Sequence, residues 1–589
     1  ALEGEARQVL EVAENSESSA RFRLRTLTKL GPAKLRFTAS SGEASARRTI
    51  GLSVRPATPF MTTTAAGSLR KSSLDVPIER SMYPEHRTLE ASLSLLPLAI
   101  GHGLVVYLDN YPYLCTEQLV SRAVPALVLA ERPEFGALQA RGGATIEDLM
   151  SELRQRQNDA GAFKLWPGGN QVAEFPSLYA QHFLLEALEM RRSVPDDVVH
   201  AANGWLRQLA ARDGDNLAEE RHSAYAIYLL VRQGHVMSTQ AARLHKRLRE
   251  RYKGEWEQDL AAAWLAAAYR LMRQESDATR TVGDLTFGSG QRTDAYSDSM
   301  TRDALLLYVL SRHFPERLPA LRAQVLESIV GRVNRNLYHS LSAGTTLLAL
   351  DRYARALPPE AASGLRADEI LRDKRLRRLE LPASLLPKVD FTDDAVALRF
   401  TSGSNLNAYY AVTLAGFDRN APVQEIRDGF EILREYLDTD GRPVAKVKLG
   451  EQLDVRLRYR ALDRKTITDV ALVDLLPGGF ELVIPPRESL STLYQAGPTD
   501  SASDVPAADS YQSCTFCSAT SRTWLQYADA REDRVVFYAN LDGNFHELTY
   551  RIKATNVGQY AVPPAYGEAM YDRSSRARSL AGSIEVIRP

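Results

Sequence analysis

The chain is 589 residues long, well past the roughly 250–300 residues at which a single hydrophobic core stops growing, so several domains are expected. Lysine plus arginine and aspartate plus glutamate each number 73, and the resulting formal charge of zero excludes any global electrostatic pull toward nucleic acid or anionic membrane. Apolar residues make up 44% of the chain, and no run approaches the roughly 18–20 of a spanning helix, so a soluble chain is expected.

The opening ALEGEARQVLEVAENSES has no basic segment followed by an apolar stretch and a cleavage site. It also begins without methionine, so it reads as a piece of a longer chain with no signal peptide of its own. Residues 1–85 read as β: ARFRLRTL, PAKLRFTAS and TIGLSVRP alternate apolar and polar, and GPA and SSGE supply turns. From about residue 88 the period becomes helical and stays so to about 370, through roughly a dozen helices with short connections. Alternate helices differ in kind. AAAWLAAAYRLM is apolar on most sides, as a buried helix must be, whereas AARLHKRLRERY carries a narrow apolar stripe. That alternation predicts an inner ring of helices within an outer one, an α/α toroid.

Strand patterns return after the helices, in VALRFTSG, NAYYAVTLAGF, EQLDVRLRYRAL, TDVALVDLLPGGFEL, DRVVFYANL and FHELTYRIKAT, and predict a β-sandwich near the end. The β segments flanking the toroid are each short for a sandwich. One β-domain split by an inserted toroid explains both, giving expected boundaries of 1–54, 55–90, 91–380, 381–427 and 428–589.

One stretch carries chemistry. In YPYLCTEQLVSRAVPAL, Cys115 precedes what reads as a new helix and Gln118 follows at the third helical position, the offsets of a capping box, which turn the two side chains toward each other. A helix N-terminus favours thiolate and polarises a nearby amide. Attack of the thiolate on the Gln118 side-chain carbon with loss of ammonia would give an internal thioester, and Tyr111 and Tyr113 are candidates to shield it. The plain alternative is a small buried thiol beside a capping glutamine.

The stretch resembles the thioester motif YPYGCxEQ of bacterial alpha-2-macroglobulins. The likeness continues in GAFKLWPGG, similar to the family's Gly-x-Phe-x-x-Trp loop, in TDVALVDLLPGGFEL and DAREDRVVFY, similar to strands of its last domain, and in VPPAYGEAMYD, similar to its locking loop. The resemblance implies a thioester between Cys115 and Gln118, shielded by Tyr111 and Tyr113 and by Met570 and Tyr571 of the lock. It implies a toroidal thioester domain inserted into a CUB-like β-domain and flanked by macroglobulin-type β-sandwiches. It further implies a broad-range, non-enzymatic inhibitor that captures proteases through their lysines after cleavage of a bait segment lying outside this chain. The implied setting is the periplasm, with the parent protein anchored in the inner membrane. A monomer with no cofactor, metal or nucleic-acid partner is expected, and other periplasmic proteins are open as partners. One departure stands out: Leu114 occupies the place of the family's glycine. A relative without a thioester, acting as a scaffold, and an α/α-toroid enzyme are the alternatives.

Two other features take structural readings. Cys514 and Cys517 form a CTFC in a polar loop without further metal ligands nearby, which favours a local disulfide in an oxidising compartment over reduced thiols. His182 and His222 lie on toroid helices and read as packing or surface residues, and VDFTDDA reads as a loop.

Overall fold

The computed structural model describes every residue except 70–71, 130–144, 170–171, 284, 289–295, 297, 357–363, 383–386, 404–407, 464, 486–513, 520–523 and 589. Near the N-terminus, Gly31–Ser41 and Ala44–Val54 form an antiparallel hairpin whose residues are mostly exposed. ARFRLRTL contributes strand only at Arg23–Leu24, paired with Leu2–Glu3.

Two four-stranded antiparallel sheets follow. One contains Phe60–Leu69, Thr88–Ser94, Lys388–Asp390 and Ala408–Phe417; the other contains Ser73–Pro77, Leu365–Leu371, Leu376–Leu379 and Ala395–Ser402. Each sheet therefore draws strands from both sides of the helical block. Leu69, Leu93, Leu398, Phe400 and Val412 fill the space between them. Alternating burial along AVALRFTS, with Leu398 and Phe400 inward, is the period of two that such a half-buried strand requires. Strand Leu365–Leu371 lies inside the segment read as helical to about 370 and assigned to the toroid up to 380. Its sequence LRADEIL suits a helix as well as a strand. The ladder to Ala395–Ser402 decides between them, and Ala367 and Glu369 become buried.

Between these strands run twelve α-helices among the described residues, from Gly101–Asp109 to Ser340–Ala356. Six of them are buried on nearly all sides: Thr116–Leu129, Glu174–Glu189, Leu217–Arg232, Leu260–Leu271, Ser299–His313 and Ser340–Ala356. Each touches the next and the last touches the first, closing a ring. The intervening helices bury a single stripe; Ser238–Arg251 buries only Ala241, Leu244 and Leu248. Gly101–Asp109 packs on strands Phe60–Leu69 and Ala408–Phe417, which fixes the ring to the split sheets.

The last domain is a sandwich. Its six-stranded sheet includes Ile467–Leu475, Leu525–Ala530, Arg534–Leu541, Tyr566–Ala569 and Asp572–Arg578, and its five-stranded sheet includes Phe430–Leu437, Gln452–Ala461 and His546–Ala554. The six-stranded sheet is buried on both faces. Val470, Leu472, Val535 and Phe537 point into the sandwich, while Ala471, Val473, Leu475, Val536 and Tyr538 join the core of the helical ring. That double burial explains the nearly unbroken apolar runs VALVDLL and VVFY.

Four helices of the ring are tied together at one carboxylate. Glu186 is fully buried, and its Oε1 accepts from Arg232 at 2.5 Å and from the Tyr308 hydroxyl, while its Oε2 accepts from Arg352 at 2.5 Å. Arg312 stands 3.4 Å from Oε1. Burial pushes this carboxyl up, yet Arg232, His182 and Arg352 together hold it well below the usual carboxylate range. Replacing Glu186 by alanine removes the buried carboxylate on which Arg232, Arg312 and Arg352 converge and leaves them only the partly exposed Glu189. The expected loss is about 3–5 kcal/mol in chemical denaturation of Glu186→Ala, against less than about 1 kcal/mol for removing a surface pair such as Lys246–Glu250.

Candidate functional site

The helix Thr116–Leu129 begins immediately after Cys115, which places Cys115 at the N-cap and Gln118 at the third helical residue. The Cys115 backbone N–H donates to Gln118 Oε1 at 2.8 Å, the side chain of the third residue reaching back as a capping box requires. Both residues are fully buried. The same hydrogen bond aims a donor at the carbonyl oxygen on the carbon that a thiol would attack.

What covers the pair comes from the last domain. Strands Tyr566–Ala569 and Asp572–Arg578 are joined by the two residues Met570 and Tyr571, and this hairpin tip is driven into the helical ring. Hairpin tips ordinarily face water and carry small polar residues. Here Met570 and Tyr571 are each 3% exposed. Gln118 Nε2 donates to Met570 Sδ at 3.0 Å, and the Tyr571 hydroxyl lies 3.6 Å from Cys115 Sγ. The tip is held from behind. The Met570 N–H donates to the Asp469 carbonyl at 2.9 Å, beside a bulge in Ile467–Leu475 where Asp469 takes φ +55°. The Arg573 guanidinium lies 5.5 Å from the ring centres of Tyr107 and Tyr338.

Tyr111 and Tyr113 form an aromatic floor. They meet edge to face at 5.2 Å, Tyr111 meets Tyr107 at 5.3 Å, and Tyr113 meets Tyr538 of the last domain at 5.8 Å. The loop GAFKLWPGG closes the remaining side. The Thr116 N–H donates to the Leu165 carbonyl at 2.9 Å, and Trp166 stacks on Tyr527 at 5.0 Å. Gly161 opens this loop at φ +92°, where a Cβ would lie 2.0 Å from the Ala201 carbonyl oxygen, so its glycine is required by space as well as by conformation. Leu114 is accommodated without such strain. It is not among the residues with positive φ, and its half-buried side chain packs against the helical core.

The expectation of a thiolate is overturned. Burial pushes the Cys115 thiol well above its ordinary range, and the neighbouring Glu117 carboxyl pushes the same way, outweighing the bonds from Tyr571 and Gln118. A helix N-terminus contributes only a partial charge, and here it acts on a group that has lost all its water.

Glu117 is the residue that sequence reasoning passed over. Fully buried, its Oε1 accepts from the Ser121 hydroxyl at 2.6 Å, and its Oε2 accepts from the hydroxyls of Ser340 at 2.8 Å and Tyr571 at 3.0 Å. Burial raises its carboxyl above the usual range despite these bonds. Ser121, one helical turn away, was visible as a partner; Ser340 and Tyr571 are distant in sequence and were not. His339 and Tyr296 also meet the Tyr571 ring edge to face, at 5.5 and 4.9 Å.

A curated relative settles the lineage. The alpha-2-macroglobulin homolog of Yersinia pestis is 35% identical over 600 residues, covering 100% of this chain and 30% of the relative. The chain belongs to the bacterial alpha-2-macroglobulin family. The alpha-2-macroglobulin of Pasteurella multocida is 31% identical over 622 residues, covering 99% of this chain and 31% of its own length. The chain thus spans about a third of the length of these curated relatives. Residues 429–573, which include the hairpin tip, match the bacterial alpha-2-macroglobulin MG10 domain. The fold is that of the crystal structure of native Escherichia coli alpha-2-macroglobulin from domain MG7 to the C-terminus. That likeness has a TM-score of 0.75 at 21% identity over 95% of this chain and 88% of that one. Salmonella alpha-2-macroglobulin reacted with methylamine matches at a TM-score of 0.71 and 22% identity, over 96% of this chain and 36% of that one.

The other residues singled out lie apart from this site. Cys514 and Cys517 are disulfide-bonded, with Cα atoms 5.7 Å apart, at the edge strand Cys517–Ala519 of the sandwich. His182 is buried in the ring with its Nδ1 2.6 Å from the Tyr225 hydroxyl, and burial lowers its pKa to about 4. His222 lies 2.9 Å from Glu174, at a cleft of about 370 Å³ between the ring and the last domain that Phe175, Tyr296 and Asp469 also line.

Glu174 gives this cleft a pH dependence. The His222 hydrogen bond foremost, and Arg212 besides, lower its carboxyl to about 2 against the partial desolvation that opposes them. A depressed carboxylate contributes stability above its unfolded value of 4.5, and that stability is lost as pH falls toward 2. Discounted for a side chain 33% exposed, Glu174→Gln is expected to cost about 1 kcal/mol near neutrality. The difference from the parent should vanish in urea titrations as pH drops from 4.5 toward 2.

Proposed function

We propose that Cys115 and Gln118 form an internal thioester and that the chain serves a bacterial protease inhibitor which captures its targets covalently. The observation that carries this reading is the closed geometry of the pair: Gln118 Oε1 on the Cys115 N–H, Gln118 Nε2 on Met570, and the buried Sγ under Tyr571. Formation joins Sγ to the Gln118 side-chain carbon and releases ammonia. In capture the sulfur changes from nucleophile to leaving group: a lysine amine of the protease attacks the same carbon, an amide forms, and Cys115 leaves as the thiol with the amine's proton.

A thioester in water hydrolyses, so its use depends on exclusion of water until a target is present. Met570 and Tyr571 supply that exclusion from a separate domain, which makes the shield removable by domain movement. Tyr111 and Tyr113, buried in the same core, are assigned to the shield as well. Membership in the alpha-2-macroglobulin family supports the inhibitor reading, and the Salmonella relative reacted with methylamine supports an amine as the nucleophile. On the same reading, cleavage of a bait segment elsewhere in the parent protein opens the lock. The two sheets split by the helical ring are CUB-like, the hairpin Gly31–Val54 is the end of a macroglobulin-type domain, and the setting is the periplasm, where the Cys514–Cys517 disulfide persists. Leu114 leaves the thioester possible because its backbone needs no positive φ.

Intact mass tests the proposal. The fresh chain should weigh about 17 Da less than its sequence, gain about 31 Da with methylamine, and release one thiol, whereas Cys115→Ala should show neither change. Met570→Ala and Tyr111→Gly should shorten the lifetime of the bond by about tenfold or more. A chain at full sequence mass with Gln118 intact and a free Cys115 thiol removes covalent capture.

A further inference from the structure

The buried carboxyl of Glu117 has no part in shielding. It points away from solvent, yet one of its oxygens is joined to the sulfur by a single intervening hydroxyl. Tyr571 OH lies 3.0 Å from Glu117 Oε2 and 3.6 Å from Cys115 Sγ. Ser121 and Ser340 donate to the same carboxylate, and Ser121 is itself 3.3 Å from the Tyr179 hydroxyl. Three donated hydrogen bonds orient the carboxylate without an arginine to neutralise it. The contrast with Glu186, caged by arginines in the same ring, is direct.

Thioester formation needs such a group. A neutral thiol is a poor nucleophile, and an amide nitrogen does not leave unless it is protonated. In the folded chain both problems meet in a fully buried site. We infer that Glu117 and Tyr571 are the proton relay that forms the thioester, so that the closed hairpin tip builds the bond it afterwards protects.

The steps balance, and they rest on the thioester reading above. The thiol proton passes to the Tyr571 oxygen as the phenolic proton passes to Glu117 Oε2. Sγ bonds to the Gln118 side-chain carbon, and the negative charge that develops on Oε1 meets the Cys115 N–H already 2.8 Å away. The carbon–nitrogen bond breaks, and the relay returns its proton so that Nε2 departs as ammonia. Glu117 ends in the ionised form from which the relay starts. Burial supports this role, because a carboxylate whose affinity for protons is raised is a stronger base toward a thiol. The phenol of Tyr571 is held neutral by the same burial, so it passes a proton on without keeping a charge.

The relay separates two properties of Tyr571: its ring excludes water, and its hydroxyl moves a proton. The full chain is made by cell-free translation, quenched at intervals in acid, alkylated and weighed, which gives the rate of ammonia loss; a chase in buffer gives the rate of hydrolysis. Glu117→Gln, which retains size and one accepting oxygen but cannot take up a proton, and Tyr571→Phe, which retains the ring, should each slow ammonia loss by about a hundredfold. Tyr571→Phe should alter hydrolysis of the formed bond far less than Tyr571→Gly, and Glu117→Asp should restore part of the rate lost in Glu117→Gln. Parent-like rates of ammonia loss in both Glu117→Gln and Tyr571→Phe overturn the relay while leaving the thioester standing. Equal losses in formation and in protection for Tyr571→Phe overturn it too, since they reduce Tyr571 to a shield. A parent chain that never loses ammonia removes the thioester reading and the relay with it.

Discussion

Everything at this site depends on one burial: a two-residue hairpin tip, Met570 and Tyr571, seated inside a ring of helices that belongs to another domain. The tip reaches there because its sheet is apolar on both faces. Residues 470, 472, 535 and 537 hold the sandwich together, and the alternate residues 471, 473, 536 and 538 grip the ring. A one-residue slip in either strand would exchange the two sets and withdraw the tip. Seating it strips water from Cys115 and Gln118, and that loss of water decides the electrostatics. The thiol stays neutral, Glu117 holds protons more tightly, and the amide of Gln118 finds its partners in the protein.

The insertion of the ring into the split sheets fixes the other half of the geometry. Gly101–Asp109 lies on strands Phe60–Leu69 and Ala408–Phe417, so the turn through Pro112 and the start of Thr116–Leu129 are anchored to a rigid support. Arg531 of the last domain donates to the Pro112 carbonyl at 2.6 Å, and Arg573 stacks on two tyrosines of the ring. The seam is thus made of aromatic faces, a few directed bonds and an open cleft beside Glu174. It is tight at the sulfur and looser at its edge, an arrangement suited to a contact that holds water out and still parts as a unit.

Much of this was legible in the sequence, for physical reasons. The alternation of all-round apolar and striped helices encodes an inner and an outer ring directly, because burial dictates composition. The offset of Cys115 and Gln118 encodes the capping geometry, because only the first turn of a helix leaves a backbone N–H for a side chain to claim. Other features escaped. LRADEIL carries no local mark distinguishing strand from helix; it is held between its hairpin neighbour Leu376–Leu379 and a strand some thirty residues away, Ala395–Ser402. The direction of the Cys115 shift was misread because helix position is local and desolvation is not: the resemblance already laid Met570 and Tyr571 over the pair, but the thiol was weighed against the helix N-terminus without the loss of water that such a cover imposes. Glu117 escaped for the same reason, since two of its three hydroxyl partners come from residues 340 and 571.

Glu117 and Glu186 show what a single ring can do with one residue type. Both are glutamates on inner helices and both are fully buried. Arginines surround Glu186, so its charge is fixed, its proton affinity is depressed, and it acts as a fastening between helices. Hydroxyls surround Glu117, so its orientation is fixed while its charge is left free to change. Hydroxyls can donate to a carboxylate without compensating it fully, and a carboxylate held in that way remains a base. Placing the uncompensated glutamate beside the sulfur, and the compensated one along the ring away from it, separates the demands of stability from those of proton transfer within one set of helices. The ring can therefore be rigid where the helices must stay together and reactive where its first helix begins.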